Sequence, residues 1–194
     1  EPVLDEILGH VPNARQTLLF SATYQDETEA MVRRVTRDPV FVKVATVLAD
    51  ADIDQRIYGV ADNSERLVAV RLLLAELSPA ASLIFCNTRR ETQEVSDALR
   101  ELGFSALALH GDMEQRERDE TLIRFANKSV SVLVATDVAA RGIDIDTIDL
   151  VLNYQLARDP EVHIHRIGRT SRAGNNGVAC SLIVERERFK LAAI

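Results

Sequence analysis

Lysine is scarce in this 194-residue chain: Lys43, Lys128 and Lys190 stand against 20 arginines. Arginine forks onto carboxylate and phosphate oxygens where lysine offers only a point charge, so any phosphate contact is expected at individual arginines. An excess of positive charge is also lacking. The formal net charge is −7, which excludes a protein that grips nucleic acid through a general positive field, because that binding rests on counterion release at many basic contacts. Cysteine is limited to Cys86 and Cys180, each inside an apolar run ("SLIFC", "VACSLIV"), where a buried free thiol is expected and a structural disulfide is not. No apolar run approaches membrane-spanning length. The opening "EPVLDEILGH" starts with acids and has no basic segment before an apolar one, so it does not read as a signal peptide and a cytoplasmic setting is expected. A "GxxxxGK[ST]" loop is absent too, and with it the cradle of amides and the lysine that such a loop brings to a nucleotide.

What is present describes a globular chain. The apolar fraction is 46%, and the length suits one compact domain with sequence to spare. From Ile57 onward, short β-branched runs alternate with amphipathic segments. The strand candidates are "IYGVA", "SLIFC", "SALALH", "SVLVAT", "LVLNY" and "ACSLIV". Between them, "NSERLVAVRLLLAEL" sets Leu67, Val70, Leu74 and Leu77 on one helical face, "RETQEVSDALREL" does so with Val95, Ala98, Leu99 and Leu102, and "MEQRERDETLIRFANK" with Leu122, Phe125 and Ala126. Asn63 or Ser64 is expected to cap the first of these helices and Asn87 or Thr88 the second, and Gly103 stands where a left-handed residue ends a helix. Strand-helix alternation with short connections predicts an α/β fold, a parallel sheet with helices on both faces and ligands at the carboxyl ends of its strands.

Residues 1–42 read differently. They suggest helix ("VLDEILGH"), strand ("TLLFSA"), helix ("DETEAMVRRVT") and strand ("VFVKV"), too little to bury a parallel strand on both faces. They are expected to be the C-terminal fragment of a first domain, followed by a polar linker over 43–55 and a second domain over 56–194. An unpaired "TLLFSA" would leave a strand edge open, which favours a homodimer or strand swap.

Chemistry-bearing residues gather at the ends of the predicted strands. "VLVATDVAARGIDI" runs into Thr136 and Asp137. Thr136 can donate a hydroxyl to a phosphate, although either residue can also serve simply as a helix cap. In "ALHGDMEQRERD", Gly111 permits close backbone approach to a ligand, and Gln115, Arg116 and Arg118 start the next helix, where arginines oppose the helix dipole unless an anion compensates. "HIHRIGRTSRAG" carries Arg166, Arg169 and Arg172 three apart, ending at Gly174; such an arginine set suits a transferring phosphoryl group. Zinc at His163 and His165 lacks a third and fourth ligand nearby, and no metal site is expected. "LLFSATY" ends a strand with Ser21 and Thr23.

Taken in this order, the segments resemble the DEAD-box family of ATP-dependent RNA helicases over essentially the whole chain. "SAT" at Ser21–Thr23 is similar to the family's third motif, "LIFCNT" to its fourth, "VLVATDVAARGIDI" to its fifth and "HRIGRTSRAG" to its sixth. "RQTLLFSAT", "HGDMEQRERD" and "DPEVHIHRIGRTSRAG" are similar to the DbpA-like bacterial members, which act on ribosomal RNA. His165 stands where the related DExH helicases usually carry glutamine, and Ser171 departs from the usual glycine or alanine. The resemblance implies a RecA-like fold, with residues 1–42 ending the first RecA-like domain. It implies that Arg169 and Arg172 are arginine fingers toward the γ-phosphate of ATP, and that Gly142 and Asp144 lie in the nucleotide-binding set, Asp144 at the ribose hydroxyls. His165 would join the motif-three segment Ser21, Ala22 and Thr23, which links ATP state to RNA binding. Asn87, Gly111, Arg118 and Thr136 would contact RNA phosphates and sugars.

Such backbone contacts ignore base identity. Magnesium would be held mainly by the first RecA-like domain, where the phosphate loop and "DEAD" belong; neither occurs in this sequence. The implied whole is an enzyme that couples ATP hydrolysis to local unwinding of short RNA duplexes, in ribosomal RNA or ribosome assembly, partnered by RNA and its own N-terminal domain and not by a membrane. This portion alone is expected to be inactive. The alternative is a non-catalytic RecA-like module that binds RNA or a protein.

Overall fold

The computed structural model describes residues 2–12, 14–20, 26–42, 53–140, 148–170 and 177–193. The chain divides into two compact units, residues 1–46 and 47–194.

The first unit contains helices α1 (Pro2–His10) and α2 (Asp26–Val35). α2 buries Val32 and Val35, and Arg34 pairs with Asp5 of α1 at 3.4 Å. Of the two strands expected here, "TLLFSA" and "VFVKV", the described residues 17–20 and 40–42 carry no strand, and the rest of each lies outside the described residues. Parallel strands need hydrogen-bonding neighbours and covered faces. Instead Leu18, Phe20, Val40 and Val42 are exposed, Phe20 by 89%.

The second unit is a six-stranded, all-parallel sheet in the order β1-β6-β5-β2-β4-β3. Its strands are β1 (Ile53–Val60), β2 (Ser82–Phe85), β3 (Ala106–Leu109), β4 (Val132–Ala135), β5 (Leu150–Asn153) and β6 (Gly177–Val184). The helices are α3 (Asn63–Leu77), α4 (Arg89–Glu101), α5 (Gln115–Ala126) and α6 (Pro160–Ile167), with a closing 3₁₀ helix at Glu185–Ala193. β1 begins inside the stretch read as a linker, because Ile53–Gln55 pair with Gly177–Ala179 of β6.

Alternation along the strands builds two cores. Ile84, Val134, Leu152 and Leu182 face one side with Val70, Leu74, Val95 and Leu99 of α3 and α4. Leu83, Phe85, Leu133, Ala135 and Val151 face the other with Phe125 of α5 and with Ala139, Ala140 and Ile148. This split follows from right-handed crossovers: the chain moves one way across the sheet through β1, β2 and β3, then returns through β4, β5 and β6. The central strands are buried on both faces, which is why they read as unbroken apolar runs.

Helix ends follow local chemistry, with two departures. Thr88 caps α4, its hydroxyl accepting from the Glu91 amide at 3.2 Å. Gly103, at φ +88°, takes the left-handed turn after α4, where a side chain is strained. α3 is capped by Asp62 and not by Asn63 or Ser64: its carboxylate accepts from the Ser64 and Glu65 amides at 2.7 and 3.2 Å. A carboxylate outcompetes the neighbouring caps by adding charge attraction to the helix dipole. α4 stops at Glu101, so Leu102 falls beyond its apolar face and is exposed, as is Ala126 at the end of α5. No helix among the described residues is long and apolar enough to cross a membrane.

Candidate functional site

Because all six strands run parallel, their carboxyl ends share one edge of the sheet. The loops after β2, β4 and β5 are adjacent there, since β2 lies between β4 and β5. They carry Asn87, Thr136 with Asp137, and Gln155.

These loops meet at one buried guanidinium. Arg166, near the end of α6, is 1% exposed. Its Nε donates to Asp137 Oδ1 at 2.6 Å and its Nη2 to Asp137 Oδ2 at 2.8 Å. Nη2 also donates to Asn87 Oδ1 at 2.8 Å, while Nη1 donates to Asn153 Oδ1 at 3.1 Å and to the Gln155 carbonyl at 2.7 Å. The guanidinium lies 5.0 Å above the Phe85 ring. Two-point pairing with a carboxylate plus further acceptors is what a buried arginine requires, since a desolvated and unpaired charge is very costly. The anion that Arg166 meets is therefore Asp137, an internal one.

Asn87 and Gln155 extend this junction. The Asn87 side-chain amide donates to the Leu156 carbonyl at 3.1 Å, and the Asn87 backbone amide donates to Gln155 Oε1 at 3.1 Å. The Gln155 side chain donates in turn to Glu91 Oε1 at 2.5 Å. Both ends of the Asn87 side chain are thus occupied within the fold.

α6 delivers this geometry through ordinary signals. Asp159 caps it, accepting from the Glu161 amide at 2.9 Å, with Pro160 at its first turn. Past the helix, the Arg169 amide donates to the Arg166 carbonyl at 3.1 Å, and the buried Thr170 hydroxyl donates to the Ile148 carbonyl at 2.6 Å. Arg166 and Arg169 therefore do not share a helical face, because the helix ends at Ile167. Arg169 sits half-buried in the anchored turn.

The remaining expected residues are placed as follows. Thr136 is buried at the end of β4, and Ala140 donates to its carbonyl at 2.9 Å. Gly111 lies exposed after β3, and a Cβ there would meet nothing within 4 Å. Arg118 is half-buried on α5, its Nε without a hydrogen-bond partner among the described residues. His165 is half-buried on α6. Ser21, Ala22, Thr23, Gly142, Asp144, Arg172 and Gly174 lie outside the described residues, as does Ser171. The described residues contain no group of three or more His, Cys, Asp or Glu side chains suited to a metal ion.

Three participants escaped the sequence reading. Arg66 of α3 is fully buried, donating to the Tyr154 carbonyl, to the Leu182 carbonyl at 2.7 Å and to Glu187 of the 3₁₀ helix. It ties α3 to β5, β6 and the chain beyond. Thr170 was hidden among the arginines, and Gln155 belongs to no recognised motif; a glutamine directly after an apolar strand is the only signal it offers. Both cysteines are free and buried. Burial pushes the Cys86 thiol far up, Glu91 adding to it, and raises Cys180 to about 11, so neither is a thiolate at neutral pH.

His163 is buried on α6 beside this junction. Burial, and then the Arg166 charge, hold its pKa below the ordinary value of 6.5. The unfolded chain consequently binds a proton at a pH where the folded chain does not. Stability is expected to be full above about pH 6.5 and to fall as pH drops from there through the lower folded pKa. Urea unfolding from pH 7.5 to 5 should show this loss, and His163→Gln should remove much of it.

Comparison with known proteins matches this architecture. The helicase conserved C-terminal domain family matches residues 65–174. The ATP-dependent RNA helicase DbpA of Escherichia coli (strain K12) is 50% identical over 184 residues, covering 95% of this chain and 40% of that protein. The S. cerevisiae Dbp5 structure bound to RNA and ADP BeF3 superposes with a TM-score of 0.80 at 30% identity, covering 96% of this chain and 49% of that one. The E. coli DEAD-box protein SrmB bound to regulator of ribonuclease activity A superposes with a TM-score of 0.69 at 38% identity, covering 73% of this chain and 83% of that one. The chain spans about two fifths of the length of the curated relatives it matches. A RecA-like parallel sheet, the ordered motifs and a family match over residues 65–174 together make this chain a member of the DEAD-box RNA helicases, carrying their conserved C-terminal helicase domain.

Proposed function

We propose that this chain is the portion of an ATP-dependent RNA helicase that lends arginines to ATP hydrolysis and a backbone-reading surface to RNA. Residues 1–42 are the end of a first RecA-like domain, and the second domain, expected from residue 56, takes in β1 from Ile53, which shortens the connection to 43–52. Arg169 and Arg172 reach the γ-phosphate of ATP, with Gly142 and Asp144 on the nucleoside side. Arginine at that position stabilises charge developing on the transferred phosphoryl group. Asn87, Gly111, Arg118 and Thr136 meet RNA phosphates and sugars. His165 and the Ser21–Thr23 segment are assigned the coupling of ATP state to RNA binding.

The observation that carries this reading is the Arg166 junction, which joins the segments of Asn87 and Thr136 to the turn bearing Arg169 at the ligand edge of a parallel sheet. The substrate is RNA, ribosomal RNA in keeping with the DbpA likeness, and the setting is cytoplasmic ribosome assembly. Magnesium accompanies ATP. The described residues offer no acidic cluster for it, so no step is assigned to it through this chain.

The test is reconstitution. The chain alone should hydrolyse ATP no faster than a buffer blank; mixed with a separately made domain carrying the phosphate loop and "DEAD", it should hydrolyse ATP when RNA is added. Turnover by the pure chain, or none from an associated mixture, overturns the reading. Exposed Leu18, Phe20, Val40 and Val42 also favour self-association through the first unit. Sedimentation should show dimer at high concentration, and a strict monomer argues against it.

A second reading has one observation behind it. The structure of SrmB with a regulator protein aligns with 73% of this chain, so a lobe that docks a protein without ATP chemistry is the alternative, and the associated but inactive mixture is the outcome that favours it.

A further inference from the structure

Arg166 resembles its neighbours Arg169 and Arg172 in sequence, yet its surroundings are those of an internal strut. Among the described residues, its guanidinium meets Asp137 by two points, Asn87, Asn153, the Gln155 carbonyl and the Phe85 face, all groups of the protein itself. At 1% exposure it has no surface left for an external phosphate. Its partners come from the ends of β2, β4 and β5 and the loops after them; Asn87 and Gln155 also join the first and last of these loops directly, and Arg166 adds Asp137 of the loop after β4 to that pair. Its own carbonyl accepts the Arg169 amide.

Resting on the RNA-binding reading above, we infer that Arg166 is a positioning residue, which with Asp137 and Gln155 sets the Asn87 and Thr136 loops for RNA and locks them to the turn carrying Arg169. Asp137 fixes the plane of the guanidinium by two-point pairing. Nη2 then has one remaining direction, which Asn87 Oδ1 fills. Gln155 holds Asn87 from the other side through its backbone amide. Asn87 is thus held at three atoms, so any residue it contacts meets a preset orientation at little further entropic cost.

Electrostatics provides a sign that separates this role from a bland one. Asp137 is a negative charge next to Thr136, with 31% of its side chain exposed. If it were merely a nearby acid, neutralising it would relieve repulsion of RNA phosphates and strengthen binding. A positioning role gives the opposite sign. Asp137→Asn keeps the shape but loosens the fork, and losing a charge-assisted contact of this type should weaken RNA binding about tenfold. Asn87→Ala should cause a comparable loss, and the double variant should bind no more weakly than the worse single one, because both act through one junction.

The measurement is fluorescence anisotropy of labelled oligouridine RNA titrated with the 194-residue chain and its variants, with circular dichroism to establish folding. Weakened, non-additive binding supports the inference. Wild-type or tighter binding by Asp137→Asn overturns it and leaves the RNA reading standing. Absence of RNA binding by the unmodified chain overturns the RNA reading itself and this inference with it. If Asp137→Asn does not fold, Gln155→Ala decides: it keeps the Arg166–Asp137 pair, so weakened binding supports the inference and unchanged binding overturns it.

Discussion

Arg169→Ala, in the reconstituted mixture with RNA, is expected to lower the ATP turnover rate about a thousandfold or more, the range measured for arginines that stabilise a transferring phosphoryl group. That corresponds to roughly 4 kcal/mol of transition-state stabilisation. The turn that holds Arg169 is anchored by Thr170 on the Ile148 carbonyl and by the Arg169 amide on Arg166, so the side chain is presented from a fixed backbone, as transition-state stabilisation requires. Arg169→Lys should recover only a small part of the rate, since a lysine keeps the charge and loses the planar fork. Arg186→Ala, on the exposed face of the 3₁₀ helix, serves as the control and should match the wild type. A rate for Arg169→Ala within tenfold of wild type would remove Arg169 from the catalytic machinery.

Arg166→Leu is expected to act on stability. It removes the donor from Asp137, Asn87, Asn153 and Gln155 together, and breaking a buried pair by deleting one partner costs about 3–5 kcal/mol. Partial exposure of Asp137 lets water reach that carboxylate, which places the loss near about 3 kcal/mol. For a domain of this size the thermal midpoint should drop by roughly 6–12 °C. Arg90→Ala is the contrast. Its pair with Glu94 at 2.7 Å lies in solvent, and its loss should leave the midpoint where it was. Differential scanning calorimetry on the two variants settles the comparison, and equal midpoints would show that the buried junction contributes no more than a surface pair.

The two arginines illustrate how far the sequence could be read. Arg166, Arg169 and Arg172 look alike along the chain, and a common role as anion ligands was the natural expectation. The helix ends between the first two, which sends Arg166 inward and Arg169 into a turn. The helices α3, α4 and α5, the Thr88 cap and the Gly103 turn were legible because each depends on propensities and hydrogen bonds within a few residues of chain, and the strands of the sheet because burial on both faces leaves short apolar, β-branched runs. The described parts of the expected strands "TLLFSA" and "VFVKV", residues 17–20 and 40–42, carry no strand, because a strand depends on neighbours as well as on its own β-branched residues. The Asp62 cap was missed for a smaller reason: three adjacent residues can all cap, and competition among them is settled by charge and geometry.

What the sequence determined by itself is the class of fold and the order of its motifs, since alternating apolar runs and amphipathic helices allow only a parallel sheet covered on both faces. What only the tertiary structure decided is who meets whom across that sheet. The strand order sets β2 between β4 and β5, and only then do Asn87, Asp137 and Gln155 surround Arg166, and Arg66 reach Glu187. Partners separated by 29 or 121 positions leave no periodic trace in the chain, because a buried charge selects its counter-ion by distance in space.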